Sequence, residues 1–146
     1  MKIYFDTCAL NRPLDDRGPL RVNLEAEAVL GILALCEAGK HELVSSDALQ
    51  LEVEQNPLSQ RRAFVESILE RALHVVEVTD DIGARAKGLE THGFKAFDAL
   101  HVACAEFAEV NYLCTCDDRL LKKSRRQTEL KVKVISPLDL AGELSE

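Results

Sequence analysis

The sequence predicts an α/β protein, a three-layer sandwich in which helices cover both faces of a mostly parallel central sheet of about five strands. Short apolar runs alternate with segments of helical periodicity along the whole chain. This order is typical of strand–helix–strand units, in which each helix crosses over the sheet to connect two parallel strands. The 146 residues fit one domain, 1–146, which is long enough to bury a full core.

The predicted strands are short runs of β-branched, aromatic and aliphatic residues that are bounded by helix-start or turn residues. The first run, Ile3-Tyr4-Phe5, leads directly into the carboxylate of Asp6. The predicted strands cover residues 2–5, 41–45, 74–78, 112–116 and 131–135.

The predicted helices follow the strands and begin or end at residues typical of helix boundaries. Gly39 ends the helix 20–38, and Ser46-Asp47 is a typical N-terminal cap for the helix that precedes Asn56-Pro57. Thr7 and Cys8 are expected to make a turn away from the sheet, and residues 11–21 to form a charged loop in which Asp15 and Asp16 are solvated. The predicted helices cover 20–38, 46–55, 58–71, 79–91 and 95–110, with short helices from Asp117 or Asp118 and after Pro137.

The composition restricts the classes of protein to which the chain can belong. Its net charge of −7 argues against a protein that coats nucleic acid nonspecifically. An enzyme acting on nucleic acid remains compatible, because a cluster of acids that binds cations makes the total more negative. No apolar run approaches the ~18 residues of a membrane span, and no signal-peptide pattern opens the chain, so a cytoplasmic location without membrane contact is expected.

The five cysteines are expected to be reduced, and most of them buried, as in a cytosolic domain that needs no disulfide. Cys114-x-Cys116 together with Cys8 is a zinc-site alternative. This alternative is disfavoured because structural zinc sites usually use C-x₂₋₄-C pairs from turns. The cysteines are Cys8, Cys36, Cys104, Cys114 and Cys116.

Acidic residues follow two of the predicted strands, at the edge where open parallel sheets bind ligands. Asp6 ends the first strand and Asp117 ends the fourth. Asp98 lies near the start of an almost continuously apolar helix, so we expect it to be partly buried, and a buried carboxylate needs a partner or a metal. The alternatives are that Asp117 or Asp118 simply caps a helix, and that Glu52 is solvated, as expected of Glu25, Glu27 and Glu54.

Carboxylates that converge on one crevice repel one another unless a cation lies among them. Ligand sets made only of oxygen favour Mg²⁺ or Mn²⁺ over zinc. Such ions activate a water molecule and stabilise the charge of an in-line attack at phosphorus.

Three segments carry a resemblance to a known family: "IYFDTCALNR", "LVSSDALQLEVEQNP" and "FKAFDALHVACAEFAEVNYLCTCDDRLLKK". In this order and at these intervals they resemble the PIN-domain family over nearly the whole chain. The resemblance implies a PIN-like nuclease fold and a metal-dependent ribonuclease of the VapC kind, the toxin of VapBC toxin–antitoxin pairs. It also implies an RNA substrate, a cognate antitoxin partner and a homodimer.

Carried over residue by residue, the resemblance assigns the catalytic acids to Asp6, Glu52, Asp98 and Asp117. Asp6 and Asp98 would be the principal ligands of Mg²⁺ or Mn²⁺, and Asp117 would complete the site. Glu52 would bind the metal or orient the water molecule.

Further residues are expected to support this site or to contact the substrate. Thr115 matches a supporting hydroxyl of the family, and the T-x-D spacing leaves Asp118 as a helix cap or an outer group. His101, three residues after Asp98, is more typical of a core or interface histidine than of a site residue. Arg12 is the foremost candidate for contact with phosphate, and the other candidates, which can equally form a solvated face, are Lys95, Arg119, Lys122, Lys123, Arg125 and Arg126.

Two other classes of protein compete with an active nuclease. One is a binding module that keeps the PIN fold without its chemistry. The other is a phospho-acceptor receiver domain, which also groups acids at strand ends. The receiver domain is disfavoured because the first strand ends in one acid rather than in an adjacent pair.

Overall fold

The computed structural model has five strands, which form one sheet in the order β3-β2-β1-β4-β5. The structure describes residues 1–127 and 129–145. Thr128 and Glu146, which belong to the predicted domain 1–146, lie outside the described residues. The strands are β1 (Lys2–Phe5), β2 (Glu42–Ser46), β3 (His74–Val76), β4 (Tyr112–Cys114) and β5 (Lys133–Ile135).

Every pair of neighbouring strands is parallel, with β1 at the centre. Tyr4 of β1 lies opposite Val44 on one side and Leu113 on the other. The parallel register sends the carboxyl ends of all five strands to the same edge of the sheet. The predicted sheet is therefore confirmed, although β3, β4 and β5 are shorter than the sequence predicted.

The helices occur where the sequence predicts them, with two exceptions at the N-terminus. Residues 7–11 form α1, and residues 12–14 form a 3-10 helix, whereas the sequence predicted a turn followed by a loop. The helices are α1 (Thr7–Asn11), α2 (Leu20–Glu37), α3 (Asp47–Glu54), α4 (Ser59–Leu69), α5 (Asp80–Thr91), α6 (Ala96–Phe107), α7 (Asp118–Arg125) and α8 (Pro137–Leu144). Among the described residues, no helix is long and apolar enough to cross a membrane.

The prediction of a turn and loop after β1 was wrong because Asp6 ends the strand and caps a helix at once. Its side chain accepts a hydrogen bond from the backbone N–H of Ala9, which satisfies one of the free donors at the start of α1. Pro13 then lies in the first turn of the 3-10 helix, where its missing N–H costs no hydrogen bond.

The helices flank the sheet and bury its central strand completely. Helix α6 packs against α3, α5, β2 and β4, while α2 and α8 pack against each other. Ile3, Tyr4 and Phe5 are fully buried, as expected for a strand that is covered on both faces. This arrangement confirms the predicted α/β fold and places the residues that follow β1 and β4 next to the N-terminus of α6.

All five cysteines are free. Cys104, Cys114 and Cys116 are buried, whereas Cys8 and Cys36 are partly exposed. Burial raises the pKa of the Cys104 thiol to about 11, and the same cause raises that of Cys36 to about 11. Such thiols stay protonated and behave as small apolar side chains.

Candidate active site

The structure brings the four predicted acids to one edge of the sheet, and we call them the acidic crevice. Asp6 directly follows β1, and Asp117 follows β4, which is paired with β1. Asp98 lies in the first turn of α6, and Glu52 lies in α3, which packs against α6. The charges of Asp117 and Glu52 both act on Asp98, so the members of the acidic crevice lie within electrostatic reach of one another.

Asp6 is the most buried acid of the crevice, with 3% of its surface exposed. Its Oδ1 accepts a hydrogen bond of 2.9 Å from the Ala9 N–H, and its Oδ2 accepts one of 2.5 Å from the Thr115 hydroxyl. Burial raises the pKa of Asp6 to about 6, although these two hydrogen bonds act in the opposite direction. The carboxylate is therefore held in place without a cationic partner.

Thr115 joins the two strand ends of the crevice. It is fully buried, and its hydroxyl donates to Asp6 while accepting a hydrogen bond of 3.0 Å from the backbone N–H of Asp117. Thr115 thus occupies the supporting position that the family resemblance implies for it.

Glu52 is held by one of its two carboxylate oxygens. Its Oε1 accepts a hydrogen bond of 2.6 Å from the Thr7 hydroxyl and lies 2.8 Å from Nε2 of His101. Burial raises the pKa of Glu52, but the hydrogen bonds from His101 and Thr7 outweigh burial and lower it below the usual value. Within the described residues, Oε2 accepts no hydrogen bond. Glu54, two residues further along α3, is exposed, as the sequence predicted.

His101 belongs both to the core and to the site, which the sequence treated as alternatives. It is 1% exposed, and its Nδ1 lies 2.7 Å from the Tyr4 hydroxyl. The Tyr4 hydroxyl in turn lies 2.6 Å from the Ser46 hydroxyl. Tyr4, Ser46 and Thr7 were not predicted as neighbours of the site, although a tyrosine in a fully buried strand signals that its hydroxyl needs a partner.

Asp98 is the least restrained acid of the crevice. Its side chain accepts no hydrogen bond from the described part of the chain, and it is half-buried. Burial raises the pKa of Asp98, and the negative charge of Asp117 raises it further. The positive charges of His101 and Lys95 offset these two causes only in part.

Asp117 and Asp118 have different surroundings. Asp117 caps α7, with Oδ1 accepting a hydrogen bond of 2.8 Å from the Arg119 N–H. Asp118 is exposed and forms a bidentate ion pair with Arg21, whose two terminal guanidinium nitrogens lie 2.9 and 2.6 Å from the two carboxylate oxygens. The expectation that Asp118 is the cap of α7 was therefore wrong, because Asp117 forms the cap, whereas a part for Asp118 as an outer group of the site stays a prediction.

Arginines bind a second set of acids beside the crevice, and we call this set the arginine network. It connects successive side chains through ion pairs of 2.6 to 3.5 Å. Its members, in order of contact, are Arg61, Asp15, Arg12, Glu25, Arg21 and Asp118.

The arginine network corrects two predictions and shows the partners of a third residue. The guanidinium of Arg12, the foremost candidate for contact with phosphate, lies 3.0 Å from Asp15 and 3.1 Å from Glu25, and its contact with phosphate stays a prediction. Asp15 and Glu25 were expected to be solvated, yet Asp15 is partly buried and Glu25 is only 1% exposed. Oε1 of Glu25 is close to Arg12 without hydrogen-bond geometry, so their attraction is ionic.

The acids of the crevice differ from those of the arginine network in their partners. Among the described residues, no lysine or arginine forms an ion pair with Asp6, Glu52, Asp98 or Asp117. Their donors are hydroxyls, backbone N–H groups and the His101 ring. The negative charge of the crevice is thus left for an external cation.

The donor set of the crevice fits Mg²⁺ or Mn²⁺. No group of three or more His, Cys, Asp or Glu side chains in residues 1–127 and 129–145 is arranged to hold one ion through protein ligands alone. Mg²⁺ commonly binds through one or two carboxylates and keeps several waters, so it needs no complete protein cage. Oε2 of Glu52 and the carboxylate of Asp98 are free to serve, and both are oxygen donors. The same finding gives no support to zinc at Cys8, Cys114 and Cys116.

Comparisons with known proteins identify a family and a solved structure of similar fold. The family model for the PIN domain matches residues 3–126. One solved structure with a similar fold is the crystal structure of VapBC2 from Rickettsia felis bound to a DNA fragment from their promoter. The match has a TM-score of 0.60 and 14% identity, and it covers 93% of this chain and 98% of that chain. No curated protein matches the sequence significantly.

Proposed function

The chain belongs to the PIN domain family, and from this premise we propose that it is a metal-dependent ribonuclease. It would be a hydrolase that cleaves RNA phosphodiester bonds internally, with Mg²⁺ or Mn²⁺ as cofactor, and residues 1–146 would form its single nuclease domain. The observation that carries the proposal is the acidic crevice, in which four acids meet without a lysine or arginine partner among the described residues.

The electrostatics of the crevice favour a divalent cation. Two like charges ~4 Å apart repel by ~4 kcal/mol at the effective dielectric near a protein surface. Burial and the neighbouring acid both raise the pKa of Asp98, and no lysine or arginine among the described residues forms an ion pair with it. A divalent cation would remove this penalty, whereas a crevice built only for structure would more simply contain an arginine, as the neighbouring network does.

The four acids have distinct parts in the proposed site. Asp6 and Asp98 would hold the ion, and Asp117 would complete the site directly or through water. The free Oε2 of Glu52 would bind the ion or orient the attacking water. When bound, Mg²⁺ or Mn²⁺ makes a coordinated water more acidic and neutralises charge at the phosphate. Thr115 would fix Asp6, because its hydroxyl donates to the carboxylate oxygen Oδ2.

Positive side chains near Asp117 support an RNA substrate. Helix α7 begins beside Asp117 and exposes Arg119, Lys122 and Arg125. Lys95, just before α6, is also exposed. An overall charge of −7 requires such local positive groups if a polyanion is to approach the crevice.

The partner part of the proposal rests on the likeness to the VapBC2 complex. We propose that the chain is the toxin of a VapBC-type pair, that a cognate antitoxin binds and inhibits it, and that it forms a homodimer in the cytoplasm. Sequencing of the flanking DNA tests the pairing, and an open reading frame for a small DNA-binding protein just upstream of this gene would support it. Failure of that neighbour's product to bind the chain and inhibit cleavage contradicts it.

The test of the enzymatic proposal is RNA cleavage in the presence of Mg²⁺ or Mn²⁺. Wild-type protein should cleave, and Asp6→Asn should not, because the amide keeps the shape but loses the charged ligand. Glu54→Gln is the matched control, since Glu54 is an exposed acid two residues from Glu52 on the same helix. Equal cleavage by wild type and Asp6→Asn would trace the activity to a contaminant and contradict the proposal.

The second candidate function is a PIN-fold binding module without catalysis. RNA cleavage assays and Mn²⁺ calorimetry on the same proteins distinguish it from the nuclease. It predicts no RNA cleavage with any divalent ion and no Mn²⁺ binding at millimolar concentration by calorimetry.

A further inference from the structure

Three buried polar side chains connect the centre of the sheet to Glu52. They are Ser46 at the end of β2, Tyr4 in β1 and His101 in α6, and at most 1% of each residue is exposed. Buried polar groups are costly unless each one finds a partner. We call these three residues the Ser46–Tyr4–His101 network.

The hydrogen-bond pattern assigns a direction to this network. Glu52 is an acceptor only, because its carboxyl is ionised, so Nε2 of His101 must donate to Oε1 over 2.8 Å. In a neutral ring Nδ1 then accepts, which makes the Tyr4 hydroxyl its donor over 2.7 Å. The Tyr4 oxygen accepts in turn from Ser46, whose Oγ accepts from the backbone N–H of Leu49.

Each hydrogen that the Ser46 hydroxyl, the Tyr4 hydroxyl and the His101 ring can donate therefore has one acceptor, and the three hydrogen bonds run in one direction. Proton positions of this kind are assigned from the pattern of partners. Tyr4 and Phe97 also pack against the His101 ring, with centroids 5.6 and 6.1 Å away, so the ring has little room to turn.

The network has a geometric consequence for the acidic crevice. His101 and Thr7 both bind Oε1 of Glu52, and two donors on one oxygen fix the rotation of the carboxylate. The oxygen Oε2 is then the one that remains available to a ligand. His101 follows Asp98 by three residues on α6, so the two side chains lie on the same face of that helix.

We propose that His101 and Tyr4 are positioning residues, which hold Oε1 of Glu52 in the protein interior so that Oε2 serves the acidic crevice. The catalytic consequence rests on the proposed ribonuclease function, whereas the direction of the hydrogen bonds does not. Residues that hydrogen-bond a metal-binding carboxylate without contacting the metal commonly contribute about 10- to 100-fold to activity or metal affinity.

Two substitutions of His101 separate positioning from simple core packing. The amide nitrogen of Gln can reach the place of Nε2, so His101→Gln keeps a donor to Glu52. The shorter Asn places its amide near Nδ1, so His101→Asn keeps contact with Tyr4 and loses the donor. We expect His101→Asn to lower kcat by about 10- to 100-fold with KM little changed, and His101→Gln to retain most of the activity.

The matched control is His74→Asn. His74 also contacts a glutamate, Glu42, at 3.3 Å, but this pair is exposed and lies between β3 and β2. Its kcat and KM should equal those of the wild type. Thermal unfolding of all variants shows whether each is folded. If a His101 variant does not fold, Tyr4→Phe tests the same network, because it removes only the hydroxyl that contacts His101.

A second readout does not depend on activity. Long-range ¹H–¹⁵N NMR of the metal-free protein shows which ring nitrogen of His101 carries a proton. We expect a proton on Nε2 in the wild type. A ring protonated on Nδ1 alone, or a folded His101→Asn variant with wild-type kcat, overturns the positioning inference. If instead the wild type cleaves no RNA, the proposed function fails while the NMR result still decides the hydrogen-bond direction.

Discussion

Two groups of acids lie side by side in this molecule, and they are stabilised in different ways. The acids of the arginine network each contact a guanidinium, at 2.6 to 3.5 Å. The acids of the acidic crevice contact hydroxyls, backbone N–H groups and a histidine ring. The first group is neutralised within the chain, whereas the second retains charge that a cation can use.

The difference shows which property of a buried carboxylate separates the two groups. Glu25 and Asp6 are both almost fully buried, with 1% and 3% of their surface exposed. Burial alone therefore does not separate them. Their partners do, because Glu25 lies beside Arg12 and Arg21, while Asp6 has only neutral donors.

The largest expected effect is the loss of RNA cleavage when an acid of the crevice is neutralised. Asp98→Asn should reduce cleavage by more than about 100-fold, because it removes a proposed ligand and even outer partners contribute up to that amount. Asp15→Asn is the matched control in the arginine network and should cleave like the wild type. Comparable losses in both variants would erase the distinction between the two groups.

The second prediction concerns stability, for which the arginine network should matter more than the acidic crevice. Glu25→Gln should lower the free energy of unfolding by about 1–3 kcal/mol, because it removes the buried charge that Arg12 and Arg21 contact and leaves the partly buried Arg12 guanidinium with Asp15 alone. Asp98→Asn should not destabilise the metal-free protein, since it relieves repulsion from Asp117. Urea unfolding of both variants measures the difference, and a larger loss in Asp98→Asn contradicts it.

The third prediction concerns the hydroxyl that joins the two strand ends. Thr115→Val should cost about 1–3 kcal/mol of unfolding free energy, because it leaves Oδ2 of buried Asp6 and the Asp117 N–H without their partner. Thr115→Ser keeps the hydroxyl and should lose much less. Thermal unfolding of the pair is the measurement, and a loss in Thr115→Ser as large as that in Thr115→Val would contradict the special weight given to the hydroxyl.

The smallest expected effect is that of the exposed pair Arg21–Asp118. Asp118→Asn should change the unfolding midpoint only slightly, because both side chains are more than half exposed. RNA cleavage should also stay at the wild-type level, since Asp117 is the residue that faces the crevice in our account. A loss of cleavage as large as that of Asp98→Asn would instead place Asp118 in the site.

The sheet and the acids at its edge were predictable from the sequence because they depend on local pattern. Asp6 and Asp117 follow strand-like runs, and parallel strands end at one edge. Asp98 was identifiable because it interrupts an apolar helix. Helix α1 was missed because its start depends on a cap from Asp6, a residue that the sequence suggested mainly as a ligand.

The surroundings of the acids were not predictable because they depend on contacts between distant residues. Arg21 and Asp118 are 97 positions apart, and so are Tyr4 and His101. Glu25 and Glu27 lie two residues apart on one predicted helix, and both were expected to be solvated. In the structure Glu27 is exposed, whereas Glu25 faces inward against Arg12. Which acids are neutralised, and which remain charged, therefore became clear only from tertiary structure.

The central claim is that the acidic crevice binds a divalent cation and the arginine network does not. Calorimetric titration of the metal-free protein with Mn²⁺ tests it most directly. We expect saturable binding by the wild type and by Asp15→Asn, and no binding above background by Asp98→Asn. Binding that persists unchanged in Asp98→Asn, or that is lost in Asp15→Asn, would contradict the claim.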